Sequence, residues 1–421
     1  MKKTSLALAI AASTLSLSFS QVANAGFIDG SKASVEARNF YFNRDFRDGG
    51  TATSQSKSEE WAQGFLLRME SGFTDGTIGF GIDALATAGF KLDSGGGTAG
   101  SGLLVPDRSS GGSQDNYGGL GLTAKAKVSE SLLKVGTLQL KNQAVGSNDS
   151  RLLPQVFRGG QIVSKEIAGL TLDGGYLDQV NNRDSGDYED MTLNAFTNSG
   201  ITVTGVNKAD KFVFAGGNYK FADSLTGGYY YSNLENLYKQ HSFNLVHVLP
   251  IADKQSLKSD LRYARSTDDG SSNVDNKAFG AMFTYALSGH SLGLGYQKMS
   301  GDTGFAYIGS SVDPFLVNYV QIGNFAAKDE SSWQARYDFN FASIGVPGLT
   351  FMTRYLNGDN IDRGAAADGK EWERNMDIAY VVQDGTFKNL GVKWRNATMR
   401  NNFSRDIDEN RLIVSYTLPL L

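Results

Sequence analysis

Residues 61–70 read WAQGFLLRME, and their side chains alternate in kind from one residue to the next. On one face of an extended strand, Trp61 and Phe65 give an aromatic surface, whereas Arg68 and Glu70 lie on the other face among small residues. A period of two residues indicates a β-strand whose two faces meet different surroundings. The segment therefore predicts an all-β protein.

The same alternation recurs in 77–84, in 120–128 and in the last residues of the chain. In 120–128, leucine, alanine and valine oppose Lys125 and Lys127. Such alternation suits a soluble sandwich as well as a membrane barrel, because both present one apolar and one polar face. Other features of the sequence must choose between them.

The first residues predict export. Lys2 and Lys3 precede an uncharged run of Ala, Leu, Ile, Ser and Thr, and a small-residue Ala-Asn-Ala site ends at Ala25. We therefore expect residues 1–25 to be a signal peptide removed after Ala25, and 26–421 to form a single domain. Removal leaves 38 Lys+Arg (40 minus 2) against 44 Asp+Glu, a net charge of −6 that disfavours a nucleic-acid partner. The chain has no cysteine, so neither disulfides nor thiolate metal sites are expected.

After the signal, no stretch approaches the roughly 18 uncharged apolar residues of a membrane-spanning helix. The full chain has 50 Gly, 25 Phe and 18 Tyr but only 6 Pro, a composition that suits many strands joined by polar turns. Together with export and an amphipathic strand at the C-terminus, it favours a transmembrane antiparallel β-barrel. At about 20–25 residues per strand and turn, the mature chain would form about 16–20 strands around an aqueous lumen. Long outer loops are predicted at 93–116, 181–190, 266–276, 301–313 and 357–370.

Catalytic and metal-binding motifs are weak. The three histidines, His241, His247 and His290, have no recognisable nucleophile context. The acidic run 184–190 lacks the spacing of an EF-hand and is interpreted as a solvated loop, with a Ca²⁺ site as the alternative. We expect no cofactor and no metal, and a barrel enzyme such as a protease or lipase is the less favoured alternative.

The functional prediction depends on Arg and Lys side chains that face the interior of the barrel. A cation that faces a water-filled lumen stays hydrated, whereas facing lipid costs about 2–4 kcal/mol at the membrane midplane. Strand parity turns the following residues inward: Arg38, Arg44, Arg68, Lys393, Arg395 and Arg411. Because the last strand of a closed barrel pairs with the first, these cations would form one wall that attracts anions. The alternative is that each one pairs with a neighbouring acid, such as Asp406, Asp408 or Glu409.

The sequence resembles the OprD-type (Occ) family of outer-membrane carboxylate channels over essentially the whole mature chain. The resemblance rests on the stretches 38–45 (RNFYFNRD), 61–65 (WAQGF), 149–155 (DSRLLPQ), 332–338 (SWQARYD), 345–351 (GVPGLTF) and 411–416 (RLIVSY). It implies an 18-stranded barrel in the outer membrane of a Gram-negative bacterium, in contact with lipid and lipopolysaccharide, as a monomer or weak trimer.

The resemblance also implies a loop at about 139–160 that folds inward and constricts the pore. Its residues would be Asp149, Ser150, Arg151 and Arg158. A ladder of basic residues would guide substrate carboxylates past this loop, and the family motif adds Arg151 to Arg44, Lys393, Arg395 and Arg411. Lys393 stands where members often have arginine, and Ser58 stands where some are basic. Asp149 and Ser150 would orient the solute, or Asp149 would only brace the loop by pairing with Arg151 or Arg158.

A pocket facing the ladder is expected in the stretch 315–325, at Tyr319, Ile322 and Asn324. Members that resemble basic-amino-acid channels carry a Tyr and an Asp at the places of Ile322 and Asn324. Without that carboxylate, the pocket suits a carboxylate end but not an ammonium end. We therefore expect passive uptake of small carboxylates, with aromatic or cyclic acids first, and a general non-selective porin as the alternative.

Overall fold

The structure, a computed structural model, describes residues 25–47, 54–107, 109–309 and 312–421. The predicted signal peptide lies outside the described residues except for the backbone of Ala25, so its removal stays a prediction. A short helix, α1, spans Ala25–Asp29 and leads directly into the first strand. No helix in the described ranges is long and apolar enough to cross a membrane.

Nearly all of the remaining regular structure is β-strand. The strands are β1 (Lys32–Phe46), β2 (Lys57–Glu70), β3 (Gly79–Asp93), β4 (Pro106–Asp107), β5 (Gly112–Ser113), β6 (Asn116–Val128), β7 (Ser131–Leu138), β8 (Val156–Ser164), β9 (Leu170–Asn181), β10 (Phe212–Ala222), β11 (Leu225–Leu234), β12 (Tyr238–Ala252), β13 (Gln255–Asp268), β14 (Asp275–Leu287), β15 (His290–Ser300), β16 (Ser331–Asn340), β17 (Leu349–Ile361), β18 (Gly369–Val381), β19 (Gly391–Asn401) and β20 (Ile407–Pro419). A 3-10 turn, Phe341–Ile344, precedes β17.

Within the described part of the chain, all strands except the β4–β5 hairpin form one 18-stranded antiparallel sheet. Strand β1 pairs with β2 on one side and with β20 on the other, which closes the sheet into a barrel. Closure leaves no sheet edge with unpaired backbone groups. The predicted 18-stranded antiparallel barrel is confirmed.

The alternation that predicted the strands separates the two faces of the wall. Trp61 and Phe65 are exposed on the outside of the barrel, whereas Ala62 and Leu66 are fully buried inside it. In β6, Leu120 is exposed and Lys125 is buried. The face expected to meet lipid is therefore the outer face, and the interior takes the charged residues.

Connections at the two ends of the barrel differ in length. The turns 129–130, 253–254 and 288–289 contain two residues each, and both residues of 288–289 have positive φ (46° and 96°), which lets a short turn follow the twist of its strands. At the opposite end, the loops 139–155, 182–211 and 301–330 are long.

These three long loops fold into the barrel and supply much of its core. The largest cluster of buried apolar residues joins Val145, Leu193 and Ile308, one from each loop, to side chains of the wall. The constriction loop ends at 155 rather than near 160, because β8 begins at Val156. The predicted loop at 301–313 does lie at the long-loop end, but it folds inward instead of outward, since Phe305, Ala306 and Ile308 are buried.

Candidate functional site

Six arginines line one cavity of about 460 Å³ inside the barrel. They are Arg44 on β1, Arg151 in the loop 139–155, Arg183 in the loop 182–211, Arg354 on β17, Arg395 on β19 and Arg411 on β20. Arg44 stands near the end of β1 and Arg411 near the start of β20, so the cavity lies toward the end of the barrel that carries the long loops. Arginines from two loops and four strands therefore converge on one basic site.

Glu409 is the fixed counter-charge of this cavity. Its Oε2 lies 2.6 Å from Arg44 Nη2, and its Oε1 lies 2.6 Å from Arg411 Nε. Glu409 is fully buried and Arg411 is almost so. Two guanidiniums that share one carboxylate can be buried without an isolated charge, yet the group keeps one net positive charge. The alternative prediction, that inward arginines pair with neighbouring acids, is therefore correct for Arg44 and Arg411, which both pair with Glu409.

A second shared carboxylate lies on β18. Asp377 Oδ2 accepts from Arg395 Nε at 3.0 Å and lies 3.2 Å from Lys393 Nζ. Arg395 is directly opposite Arg411 in the β19–β20 register, a like-charge pair that would be destabilising alone. Asp377 on one side and Glu409 on the other offset this repulsion. Lys393 itself is not among the residues that line the cavity.

The other three arginines form no ion pair with any residue that the structure describes. Arg151 Nε donates to the carbonyl of Ser101 at 3.0 Å, and Arg354 Nε donates to Asn375 Oδ1 at 2.6 Å. Nε of Arg183 is buried without a hydrogen-bond partner among the described residues. Burial, with the neighbouring positive charges, lowers the pKa of Arg151, although a guanidinium remains protonated in proteins. Their charges are available to an anion.

Phe42 lies beneath three of these guanidiniums. Its ring centroid is 5.0 Å from Arg151 Cζ, 5.4 Å from Arg411 Cζ and 5.6 Å from Arg44 Cζ. The ring is fully buried. Cations over an aromatic face gain about 0.5–2 kcal/mol each. The ring therefore helps to hold three like charges close together.

Arg38, predicted as a member of the ladder, fixes the constriction loop to the wall. Its Nη1 donates to Asp149 Oδ1 at 2.8 Å and to the carbonyl of Arg151 at 2.7 Å. Its other partner, Glu36, also accepts from Arg68 at 3.1 Å. Asp149 thus braces the loop, but through Arg38 and not through Arg151 or Arg158. Neither Arg38 nor Arg68 lines the arginine cavity.

The placement of Arg158 in the constriction loop is wrong. It lies on β8, next to the fully buried Phe157, and its own side chain is exposed. Its guanidinium binds Asp178 on β9 through both Nε and Nη2, at 2.9–3.1 Å. The loop ends at 155 rather than near 160, so Arg158 is a strand residue. Alternation along β8 then points its side chain away from the interior.

Three of the remaining predicted residues line the cavity and one does not. Ser150, Tyr319 and Ile322 are part of its lining. Asn324 is not, and its side chain instead interacts with Tyr307. The stretch 315–325 therefore reaches the arginines through its middle residues rather than its end.

The position of this stretch is set by two buried carboxylates of the wall. Glu409 Oε1 accepts from Gln321 Nε2 at 2.9 Å. The carboxylate of Glu373 accepts from the backbone N–H groups of Ile322, at 3.1 Å, and Gly323, at 2.7 Å. The loop 301–330, which also bonds to the loop 139–155 through Asn148 and Asp313, is thus held inside the barrel beside the arginines.

A third carboxyl group holds the end of the same loop. Glu330 is 1% exposed, and its Oε2 accepts from the backbone N–H of Ala327 at 2.9 Å. Its Oε1 receives no hydrogen bond from an N–H or hydroxyl group of the described residues, and the carboxyl group of Glu371 interacts with this side chain. Burial, followed by the negative charge of the nearby Glu371, raises the pKa of Glu330 well above its ordinary value. A protonated Glu330 is the form that this arrangement favours.

Two aspartates also line the cavity, Asp184 and Asp313. Asp313 Oδ1 accepts from Asn148 Nδ2 at 2.5 Å, and burial raises the pKa of Asp313. The acidic run 184–190 therefore contributes to the interior instead of being wholly a solvated loop. No group of three or more His, Cys, Asp or Glu side chains able to hold a metal ion occurs in the described ranges.

Sequence reasoning missed Phe42, Arg183 and Arg354. Arg354 could have been found from parity, because its neighbour Tyr355 is outward and Leu356 is fully buried inside. Phe42 shares the even face of β1 with Arg38 and Arg44, but an aromatic residue on a polar face gave no signal of its function. Nothing local marks Arg183, since its position depends on how the loop 182–211 folds inward.

Comparison with known proteins supports this architecture. Residues 25–420 match the family described as outer membrane porin, OprD family. The chain belongs to the OprD family of outer-membrane porins. It is 63% identical to Pseudomonas aeruginosa OpdQ, with a TM-score of 0.87 over 94% of this chain and 100% of that one. It is 40% identical to the porin-like protein GalP of Pseudomonas putida, over 94% of both chains, and 36% identical to Porin D of Pseudomonas aeruginosa, over 100% of this chain and 99% of that one.

Membership of the OprD family explains the outer surface of the barrel and removes the enzyme alternative. The relatives are porins and not enzymes. Exposed apolar side chains such as Leu120, Phe221 and Leu294 suit a wall embedded in the outer membrane. His241 and His290 are strand residues. The Nδ1 of His241 lies 2.9 Å from the hydroxyl of Tyr229, and the Nδ1 of His290 lies 2.8 Å from the hydroxyl of Tyr337.

Proposed function

We propose that this OprD-family porin is a passive pathway for small anionic solutes, with a preference for carboxylates that lack a cationic group. Aromatic and small cyclic acids are the first candidates. The observation that carries the proposal is the cavity in which six arginines meet two aspartates. Three of those arginines have no ionic partner among the described residues.

The shared carboxylates make this basic cavity suitable for transport rather than tight binding. Glu409 and Asp377 each stand between two cations and so leave one positive charge in place while fixing the side chains. In water-like surroundings a charge contact at 4 Å is worth about 1 kcal/mol. Several such contacts along the wall attract an anion, and none of them alone retains it. Flux then follows the concentration gradient.

The proposed ladder differs in membership from the predicted one. Arg44, Arg395 and Arg411 stay in it, and Arg354 joins them on the wall. From the loops, Arg151 is joined by Arg183. Arg38 acts as the brace of the constriction loop, and Lys393 supports the position of Asp377 behind the cavity.

The preference against cationic groups rests on the side chains that face the arginines. Ile322 offers neither a charge nor a hydrogen bond at the cavity lining. The raised pKa of Asp313 reduces the negative charge that its carboxyl group presents. Asp184 is the one acidic group in the lining that favours a second candidate function, the passage of zwitterionic amino acids.

Uptake into liposomes that contain the purified porin tests the proposal. Benzoate has no cationic group, phenylalanine carries an ammonium beside its carboxylate, and arginine carries a guanidinium in addition, so their relative rates report on a group that binds cations. We expect benzoate to enter fastest. Faster entry of arginine would contradict the proposed preference, and equal rates for all three would indicate a general porin. Asp184→Asn serves as the control, since it should slow only phenylalanine and arginine.

The proposed function includes maturation of the chain. Residues 1–25 would be removed on export, so that 26–421 forms the single barrel domain. The mass of the protein purified from outer membranes tests this step, and an intact residue 1 would contradict it.

A further inference from the structure

A second cavity, of about 620 Å³, lies at the other end of the barrel. It is lined by residues near the short turns, among them Glu70 at the end of β2 and Glu130 in the turn 129–130. Thr137 and Gln139 also line it, so it reaches the base of the constriction loop. A solute that has passed the arginine cavity would meet this space before it leaves.

The wall of this second cavity repeats the arrangement found around Glu409 and Asp377. Asp83 stands between two lysines, with Lys125 Nζ at 2.5 Å from Oδ1 and Lys134 Nζ at 3.3 Å from Oδ2. Lys125 also donates to the carbonyl of Ser71 at 2.7 Å and lies 4.9 Å from the ring centroid of Phe73. Lys125 and Asp83 therefore form the buried pair, and Lys134 keeps the unbalanced charge.

Lys134 is the member of the group that an anion can reach. Its side chain is 35% exposed, against 6% for Lys125, and it lines the cavity whereas Lys125 does not. The longer distance to Asp83 also leaves its ammonium donors free to reorient. Nearby Phe73 and Leu132 give the same cavity an apolar surface.

Arg68 connects this site to the arginine cavity. It lines the second cavity and shares Glu36 with Arg38, which in turn holds the constriction loop. Basic side chains thus occur along the barrel wall on β20 and β1, on β2, and on β6 and β7. This track crosses the constriction from the long-loop end of the barrel to the short-turn end.

We propose that Lys134, with Arg68 on the wall of the same cavity, forms a second binding site for solute carboxylates on the exit side of the constriction. The inference rests on the proposed function, because it assigns a further site to the same anionic solutes. Asp83 keeps the Lys134 ammonium near the cavity wall while leaving its donors free to reach a solute, and Phe73 and Leu132 accept the apolar body of the solute. Lys127, Lys165 and Glu130 lie at the rim of the site.

Blockade of single channels by benzoate, added to one side at a time, tests this site. In oriented channels, Lys134→Gln should slow block from the short-turn side by about fivefold, the factor that one charge contact of about 1 kcal/mol represents. Block from the long-loop side should stay as in the wild type. Lys134→Arg should retain the wild-type rates on both sides, and Lys220→Gln, at an exposed ion pair with Asp223, is the control.

The outcomes separate this inference from the proposed function. If wild-type channels are blocked from the long-loop side but Lys134→Gln leaves the short-turn side unchanged, the exit site is refuted and the arginine pathway stands. Equal slowing from both sides would also refute it, since the residue would then act on the whole pore. If benzoate blocks the wild type from neither side, the proposed function itself fails.

Discussion

Replacement of Glu409 by glutamine tests the idea that one carboxylate balances two arginines. The amide keeps the shape of the side chain but removes the charge, and it places an N–H group against Arg44 or Arg411. Breaking a buried ion pair costs about 3–5 kcal/mol, and the 21% exposure of Arg44 places the expected cost at about 3 kcal/mol. The 13 residue pairs between β1 and β20 remain, so the barrel should stay closed.

The predicted effect of Glu409→Gln is therefore local and has two parts. Gln321 loses a charged acceptor, so the loop 301–330 should move more and open-channel current noise should rise. The group also gains one net positive charge, so the preference for anions should increase. Single-channel recording under a salt gradient measures both. Glu235→Gln, at an exposed pair with Lys211, is the matched control and should change neither. Wild-type noise and selectivity in Glu409→Gln would refute the reasoning.

Three further predictions concern the elements that hold the site. Asp149→Asn should weaken the constriction loop by only about 1 kcal/mol, because Asp149 is 41% exposed and Arg38 keeps its bond to the Arg151 carbonyl; a large change in conductance would contradict this. The raised pKa of Glu330 means that its contribution to docking of the loop is full at low pH and is lost as pH rises toward that pKa. Amide hydrogen exchange in the loop should therefore accelerate with pH more than the exchange of unstructured amides does. Glu330→Gln should remove this additional acceleration, and an additional acceleration that persists in the variant would contradict the prediction. Phe42→Leu should loosen Arg151 by about 1–2 kcal/mol and raise current noise, and quiet channels would show that the ring only fills space.

The fold could be predicted from the sequence because its determining pattern is local. In 61–70, each residue shows by its parity which side of the wall it faces, and the same pattern recurs along the chain. Arg411 and Glu409 share a face for the same reason. The second cation paired with Glu409, Arg44, depends on the register of β1 with β20, in which Arg44 is opposite Glu409. Strand parity does not determine that register, because it says nothing about which residue of a distant strand lies alongside.

The inward loops were less predictable because their contacts are long-range. Leu193 and Ile308 form a β-bridge between two different loops, and no periodic pattern precedes either of them. The glycine and aspartate content of such segments is typical of solvated turns as well. The error at Arg158 has a simpler origin, since placing the loop end five residues too late moved a strand residue into the loop.

The reversal potential of single channels under a salt gradient tests the central claim most directly. Arg395→Gln and Arg411→Gln each leave one carboxylate with one cation, so each variant should lose one net positive charge and part of the anion preference. The double variant should lose more than either single variant but keep the part that Arg151, Arg183 and Arg354 supply, while Arg158→Gln, on the exposed Asp178 pair, should behave as the wild type. A wild-type pore without preference for anions, unchanged by these substitutions, would show that the arginines are structural pairs and would contradict the account.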